Sequence, residues 1–318
     1  MLVAAGSVLL GTLLLYYGAS FLIRGGSGLA RSFGMAPAII GLTVVAFGTS
    51  LPELVVSVTA ALKGSAEIAL GNVVGSNIAN IGLVLGLAAC IRALQVEFTL
   101  VRREAPMGFG AVLLVVGLSL DGVLGRVDGV LLLAGFAAFL YWSLAVERSA
   151  PAEVQEACER SMPADGQRLR NVAFTAVGLV GVVLGANWLV EGAVTIATTF
   201  GVPTVVIGLT LVAVGSSLPE LAATLVAVSR GEDDISVGNV LGSNLFNLLL
   251  ILGVAAVITP IPVAATFFRF QFPVLALYTV ALLPICRSGF RISRWEGGLL
   301  LAGYLGYVAV LYLVPAVQ

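Results

Sequence analysis

Apolar residues fill the chain in long blocks, each interrupted by a short polar or glycine-containing stretch. The blocks run to about 20 residues, the length an α-helix needs to cross the hydrocarbon of a bilayer. Ten spans are expected, at about 2–23, 35–62, 68–91, 104–120, 127–146, 170–190, 202–229, 235–258, 268–285 and 297–315. The first block lacks the basic flank of a signal peptide, and its residues 11–25 have a counterpart deep in the chain, so it is read as a span. The one long polar stretch, 147–169, reads ERSAPAEVQEACERSMPADGQRL. It is expected to be a solvated connector; a regulatory ion site is the alternative, without EF-hand spacing to support it.

Composition sharpens this picture. The chain is 59% hydrophobic and 10% charged, where a soluble domain carries about 25% charge. Thirteen of the 16 basic residues fall after the odd-numbered spans: Arg24, Arg31, Arg92, Arg102, Arg103, Arg148, Arg160, Arg168, Arg170, Arg230, Arg287, Arg291 and Arg294. Only Lys63, Arg126 and Arg269 lie on the other side. The excess of arginine on one side places the odd loops in the cytoplasm and both termini outside it. The expected location is the cytoplasmic (inner) membrane, with the lipid bilayer as partner. A net charge of −1 leaves no basic surface for nucleic acid. Cys90, Cys158 and Cys286 form no CxxC motif and read as small hydrophobes or a free thiol. Histidine is absent, which removes the commonest soft-metal ligand and general base. No nucleophile–base pair points to an enzyme, and no cofactor is expected.

An internal repeat decides the fold class. GLTVVAFGTSLPE at 41–53 returns as GLTLVAVGSSLPE at 208–220, and GNVVGSNIANIGLVLGLAA at 71–89 as GNVLGSNLFNLLLILGVAA at 238–256. A third pair, GTLLLYYGASFLIRG at 11–25 and GLVGVVLGANWLVEG at 178–192, shares the same offset of 167. Five spans per copy make the second copy enter the membrane from the opposite side. The expected architecture is an all-α integral membrane protein: ten transmembrane helices as two inverted five-helix repeats, with helices 2 and 7 broken. Residues 1–146 form the first repeat, 147–169 a cytoplasmic linker and 170–318 the second repeat, in one membrane domain. Inverted repeats of this kind place a transport site at their interface.

The repeated motifs carry the chemistry. Pro52 has no N–H for the carbonyl of Gly48 and its ring pushes against it, so the helix should break around 46–52, and likewise at Pro219. Backbone groups freed in hydrocarbon need a partner, and a cation is one for carbonyls. Thr49, Ser50, Ser216 and Ser217 add hydroxyls beside the breaks; a packing kink with hydroxyls bonded to their own helix is the other reading. Glu53 and Glu220 weigh against it. A carboxylate at mid-membrane costs at least about 2.5 kcal/mol and is a functional hypothesis by default. On helix 3, Asn72, Ser76 and Asn80 share a face at i, i+4, i+8, repeated as Asn239, Ser243 and Asn247. Asn72, Asn239, Asn77 and Asn244 read equally as interhelical glue; Asn80 and Asn247, lying deepest, are the better ligand candidates. Gly71 with Gly75 and Gly238 with Gly242 form GxxxG pairs that permit close helix approach. An all-oxygen donor set selects hard cations, and Ca²⁺ takes six to eight oxygens. Two carboxylates match one Ca²⁺, and several Na⁺ could occupy the same oxygens.

The paired G-[TS]-S-L-P-E and G-N-x-x-G-S-N motifs resemble the two alpha repeats of the calcium/cation antiporter superfamily, specifically its sodium/calcium exchanger family, over essentially the whole chain. The resemblance implies a secondary-active antiporter exchanging Na⁺ for Ca²⁺ by alternating access, with both ions as substrates and a single chain sufficient for function. It makes Glu53 and Glu220 the central metal ligands. The carbonyls of Ala46 and Ala213 and the side chains of Thr49, Ser50, Ser216, Ser217, Ser76 and Ser243 complete the sites, with Asn80 matching a family asparagine. Spans 1 and 6 would slide across the remaining helices, helped by glycines such as Gly18 and Gly185. Many relatives carry aspartate where this chain has Asn247, which disfavours K⁺ cotransport. H⁺/Ca²⁺ exchange, K⁺-dependent exchange and a passive cation channel are the alternatives.

Overall fold

The computed structural model describes residues 1–98, 100–147, 165–201, 215–287 and 289–314. The connector residues 148–164, Cys158 among them, and residues 202–214, including Ala213, lie outside the described residues. Among the described residues, the fold is helical apart from two pairs of two-residue strands. Among the described residues, six helices are long and apolar enough to cross a membrane: Leu2–Phe33, Glu67–Ile91, Arg126–Ser143, Gln167–Thr199, Asp233–Ile258 and Phe267–Cys286. The bent pair Pro37–Thr49 and Leu51–Leu62, turned by 46°, makes a seventh if counted as one span. The chain is a multi-pass integral membrane protein.

Several helices outrun the hydropathy pattern. The first was expected to stop near residue 23 but continues to Phe33, so Arg24 and Arg31 ride on the helix rather than in a loop. It ends where Gly34 turns left-handed (φ 64°) and the N–H of Met35 reaches back to the carbonyl of Ala30, a glycine-based termination. The helix Asp165–Thr199 likewise exceeds the expected 170–190 at both ends.

The described residues fall into two compact units, one drawn from 1–49 and 151–239, the other from 50–150 and 240–318. In the first, helices Leu2–Phe33 and Asp165–Thr199 run antiparallel with their backbones in contact. A methyl added at Gly11, Gly18 or Gly25 would come within 2.5, 2.6 or 2.5 Å of the backbone nitrogens of Leu189, Val182 and Thr175. Gly178, Gly185 and Gly192 answer from the other helix against Leu22, Leu15 and Ala4. The seven-residue spacing keeps all six glycines on facing stripes. Gly18 and Gly185, offered by the sequence as a sliding face, are therefore spent on holding these two helices to each other. Leu22, Ile23, Val45, Ala223 and Ile235 form part of this unit's core.

In the second unit, glycines again set the crossings. Gly86 meets the backbone of Leu301, and Gly129 the carbonyl of Gly253. The strand β1 (Leu94–Gln95) pairs antiparallel with β4 (Arg291–Ile292), and β2 (Val123–Leu124) with β3 (Ile261–Pro262). Five π-helical turns occur among the described residues: Gly41–Val45, Asn80–Leu85, Leu100–Glu104, Phe246–Ile251 and Phe267–Gln271. The third and the last stand 167 positions apart. Of the GxxxG glycines, Gly238 packs against the carbonyl of Ala38, 2.5 Å from where its Cβ would be. Gly71 and Gly75 have nothing that close among the described residues; the segment the repeat would set opposite Gly71, near 205, lies outside them.

Candidate functional site

Each repeated SLPE motif builds the same local structure. The helix Pro37–Thr49 stops at Ser50 (φ −83°, ψ 4°) and restarts at Leu51–Leu62 with Pro52 in its first turn. In the second copy Ser217 (φ −88°, ψ 4°) precedes Leu218–Ser229, with Pro219 in the first turn. Proline is at home there, because a first-turn N–H has no intrahelical partner. The break thus falls inside the expected 46–52 window, with a π turn just upstream that the sequence did not signal.

Glu53 and Glu220 sit in the first turns of the restarted helices, and both are 0% exposed. The partial positive charge of a helix N-terminus favours a carboxylate at that place. The carbonyls before a break end the preceding helical piece and carry the opposite partial charge. Breaks of this kind offer oxygen to a cation on one side and stabilise an acidic ligand on the other.

The asparagines 72 and 239 hold these turns in place. Asn72 Nδ2 donates to the Glu53 carbonyl (3.3 Å) and to Ser57 Oγ (3.0 Å). Asn239 Nδ2 donates to the Glu220 carbonyl (3.5 Å) and to Thr224 Oγ1 (3.1 Å). The two triads match residue for residue at the offset of 167. Both asparagines are therefore interhelical clamps, one of the two readings left open above. Ser57 and Thr224 were missed by the sequence reading, although a hydroxyl four residues after each glutamate was visible as a repeat.

The hydroxyl of Thr49 lies 3.2 Å from Asn239 Oδ1 and 3.3 Å from the Ala46 carbonyl, two acceptors for one proton. Ala46 is fully buried. Ser50, Ser76, Ser217 and Ser243 are buried, and Ser216 is half-buried. Among the described residues, Ser217 Oγ has no hydrogen-bond partner.

A second polar cluster lies within the second unit, where both G-S-N motifs meet. Asn80 Nδ2 donates to Asn244 Oδ1 (3.1 Å), and Asn244 Nδ2 to the Asn77 carbonyl (3.4 Å). Asn80 opens one π turn and Asn247 lies at the start of another; π turns inside α-helices recur at functional sites. Asn80 Oδ1 and both side-chain atoms of Asn77 and Asn247 find no partner among the described residues. Unsatisfied buried amides are costly, and among the described residues two of the sequence-predicted ligands, Asn80 and Asn247, carry them. No group of three or more acidic, cysteine or histidine side chains lies together among the described residues, so a cation here would rely on neutral oxygens beside carboxylate.

Comparison with known proteins agrees with this donor chemistry. The profile of the family described as sodium/calcium exchanger protein matches residues 3–145 and 170–313. The chain is 40% identical to the putative antiporter CaxA of Alkalimonas amylolytica, covering 98% of this chain and 99% of that one. It is 33% identical to the sodium/calcium exchanger MaX1 of Methanosarcina acetivorans, covering 96% and 98%. The solved structure of the sodium-calcium exchanger NCX_Mj, soaked with Na⁺ and Sr²⁺, superposes with a TM-score of 0.86 at 35% identity over 97% of this chain and 98% of that one.

Proposed function

Because the chain belongs to the sodium/calcium exchanger family, we propose that it is a secondary-active antiporter that exchanges Na⁺ for Ca²⁺ by alternating access. The names of MaX1 and NCX_Mj, both sodium/calcium exchangers, support the choice of ions. In this reading ten transmembrane helices form two inverted repeats, 1–146 and 170–318, joined by a cytoplasmic linker. The protein sits in the cytoplasmic membrane with both termini outside the cytoplasm, and one chain suffices for transport.

The observation that carries the proposal is the matched pair of fully buried glutamates, each in the first turn after a broken helix. Glu53 and Glu220 are the shared ligands of Ca²⁺ and Na⁺. The carbonyls of Ala46 and Ala213, the hydroxyls of Thr49, Ser50, Ser216, Ser217, Ser76 and Ser243, and the amide oxygens of Asn80 and Asn247 supply the remaining positions. Two carboxylates present a formal charge of −2, which one Ca²⁺ or a set of Na⁺ ions neutralises. Burying uncompensated charge in a low-dielectric interior is costly, so the protein changes its access only when loaded, and loading by one ion excludes the other. That coupling is what distinguishes an exchanger from a channel.

The test is Ca²⁺ uptake by purified protein in liposomes loaded with Na⁺. Uptake that requires an outward Na⁺ gradient supports the reading. Uptake driven by a proton gradient without Na⁺ replaces Na⁺ by H⁺ as the coupling ion, and a requirement for K⁺ makes exchange K⁺-dependent. Ca²⁺ flux with no counter-ion at all identifies a channel and defeats the proposal.

A further inference from the structure

We propose that the surface around the β1–β4 strand pair is a docking face for the headgroups of anionic phospholipids. The pair joins the turn after residue 91 to the turn after residue 287, within one compact unit. Four arginines, Arg102, Arg103, Arg291 and Arg294, are exposed around it. Phe98 and Phe290 are exposed too, with ring centroids 5.4 Å apart, and the guanidinium of Arg102 lies 5.6 Å over the Phe98 ring. The nearby carboxylates are less exposed than these arginines. Glu104 and Glu296 are buried, Glu296 capping its helix through the Ser293 N–H, and Glu97 is half-buried.

The repeat supplies an internal comparison. At the β2–β3 pair the Val263 N–H bonds the Gly122 carbonyl at 2.8 Å, as the Val96 N–H bonds the Phe290 carbonyl at 2.8 Å here. Asp128 caps the Gly125 N–H there, as Glu296 caps Ser293 here. That corner keeps exposed arginines at two of the four places, Arg269 for Arg102 and Arg126 for Arg294, but by hydrogen-bond register it has Gly122 in place of Phe290 and Val123 in place of Arg291, and it has Phe270 in place of Arg103, so it folds without the full arginine–aromatic set.

Phe290 makes the contrast sharper. It is the one non-glycine residue at positive φ (52°) among the described residues, directly after Gly289 (φ 76°), which the offset of 167 pairs with Gly122 (φ 88°). That backbone region is disfavoured for a side chain with a Cβ, and a bulky residue held there points to a use beyond folding. An exposed aromatic pair edged by guanidinium groups suits the boundary of a membrane, with rings at headgroup level and arginine forks matched to phosphate. Basic clusters beside transmembrane helices attract anionic lipid in this way. The inference needs only that the chain spans a bilayer, and stands or falls apart from the ion-exchange reading.

The experiment uses the full chain with Trp142→Phe and Trp188→Phe, leaving the exposed Trp295 as reporter. The protein is reconstituted in phosphatidylcholine with rising fractions of acyl-brominated phosphatidylglycerol or acyl-brominated phosphatidylcholine. Trp295 emission should be quenched at about a fivefold lower mole fraction of the anionic lipid. Replacing Arg102, Arg103, Arg291 and Arg294 by Gln should erase that preference. Superimposable quenching curves for the two lipids in the parent protein would overturn the proposal without any arginine variant, as would a full preference surviving the four substitutions.

Discussion

The two clamp asparagines offer a quantitative test, because the repeat makes them equivalent while the structure loads them differently. Asn239 is fully buried and makes three contacts, to the Glu220 carbonyl, the Thr224 hydroxyl and the Thr49 hydroxyl. Asn72 is half-buried and has two, to the Glu53 carbonyl and the Ser57 hydroxyl. A hydrogen bond contributes about 1 kcal/mol net, and orphaning a buried group costs about 1–3 kcal/mol. Asn239→Ala should therefore destabilise the protein by about 3 kcal/mol and Asn72→Ala by about 1–2 kcal/mol. A further difference falls on ion binding. Without Asn239, the Thr49 proton keeps the Ala46 carbonyl within reach as an acceptor at 3.3 Å. That oxygen is a proposed ligand, and a committed hydrogen bond weakens it for a cation. The Ca²⁺ concentration for half-maximal uptake should rise about fivefold in Asn239→Ala, equivalent to roughly 1 kcal/mol, and much less in Asn72→Ala. Thermal denaturation in detergent and concentration-dependent uptake in liposomes read the two effects separately. An effect of Asn72→Ala on half-maximal uptake equal to that of Asn239→Ala would refute the reasoning.

Three further outcomes are expected. Glu53→Gln and Glu220→Gln should each leave the protein folded but lower Na⁺-driven Ca²⁺ uptake at least about a hundredfold, since each removes half of the formal charge that a divalent ion needs at a site where charge matters steeply; parental uptake in either variant defeats the ligand assignment. Gly18→Ala should strongly lower the thermal midpoint, because its methyl would sit 2.6 Å from the backbone nitrogen of Val182, whereas Gly110→Ala, with open space around it, should be neutral; equal midpoints would show that the two long helices are not held by their glycine stripes. Asn247→Asp places a third carboxyl at a fully buried position and should make Ca²⁺ uptake more steeply inhibited by acid than in the parent, checked by uptake across a pH series; an unchanged pH profile would place Asn247 outside the ion path.

What the sequence revealed, and what it hid, divides along the symmetry. The offset of 167 made the paired breaks at Pro52 and Pro219 legible, because proline acts on its own helix without help from tertiary structure. It also paired Asn72 with Asn239, although the choice between clamp and ligand needed the hydroxyls of Ser57 and Thr224 to be seen across the gap between helices. Helix ends were misjudged where tertiary contact overrides local preference. Arg24 and the glycines at 25, 26 and 28 look like a helix stop, since each glycine costs about 1 kcal/mol of helix propensity. Yet Gly25 and Gly28 are where the partner helix presses its backbone and Asn171 against the first helix, and that packing offsets the loss. The π turns carry no residue signature at all. Most telling are the places where the halves differ. Repeat logic transfers a role from one copy to the other, so it cannot register that the carbonyl bonded by Val263 belongs to Gly122 while the one bonded by Val96 belongs to Phe290, one residue past Gly289. The offset of 167 pairs Gly122 with Gly289, both at positive φ, so the glycine is kept and the second corner adds one residue before its strand. The added residue, Phe290, is itself at positive φ, and no spacing rule read from the sequence foretells an aromatic in a conformation that a Cβ disfavours.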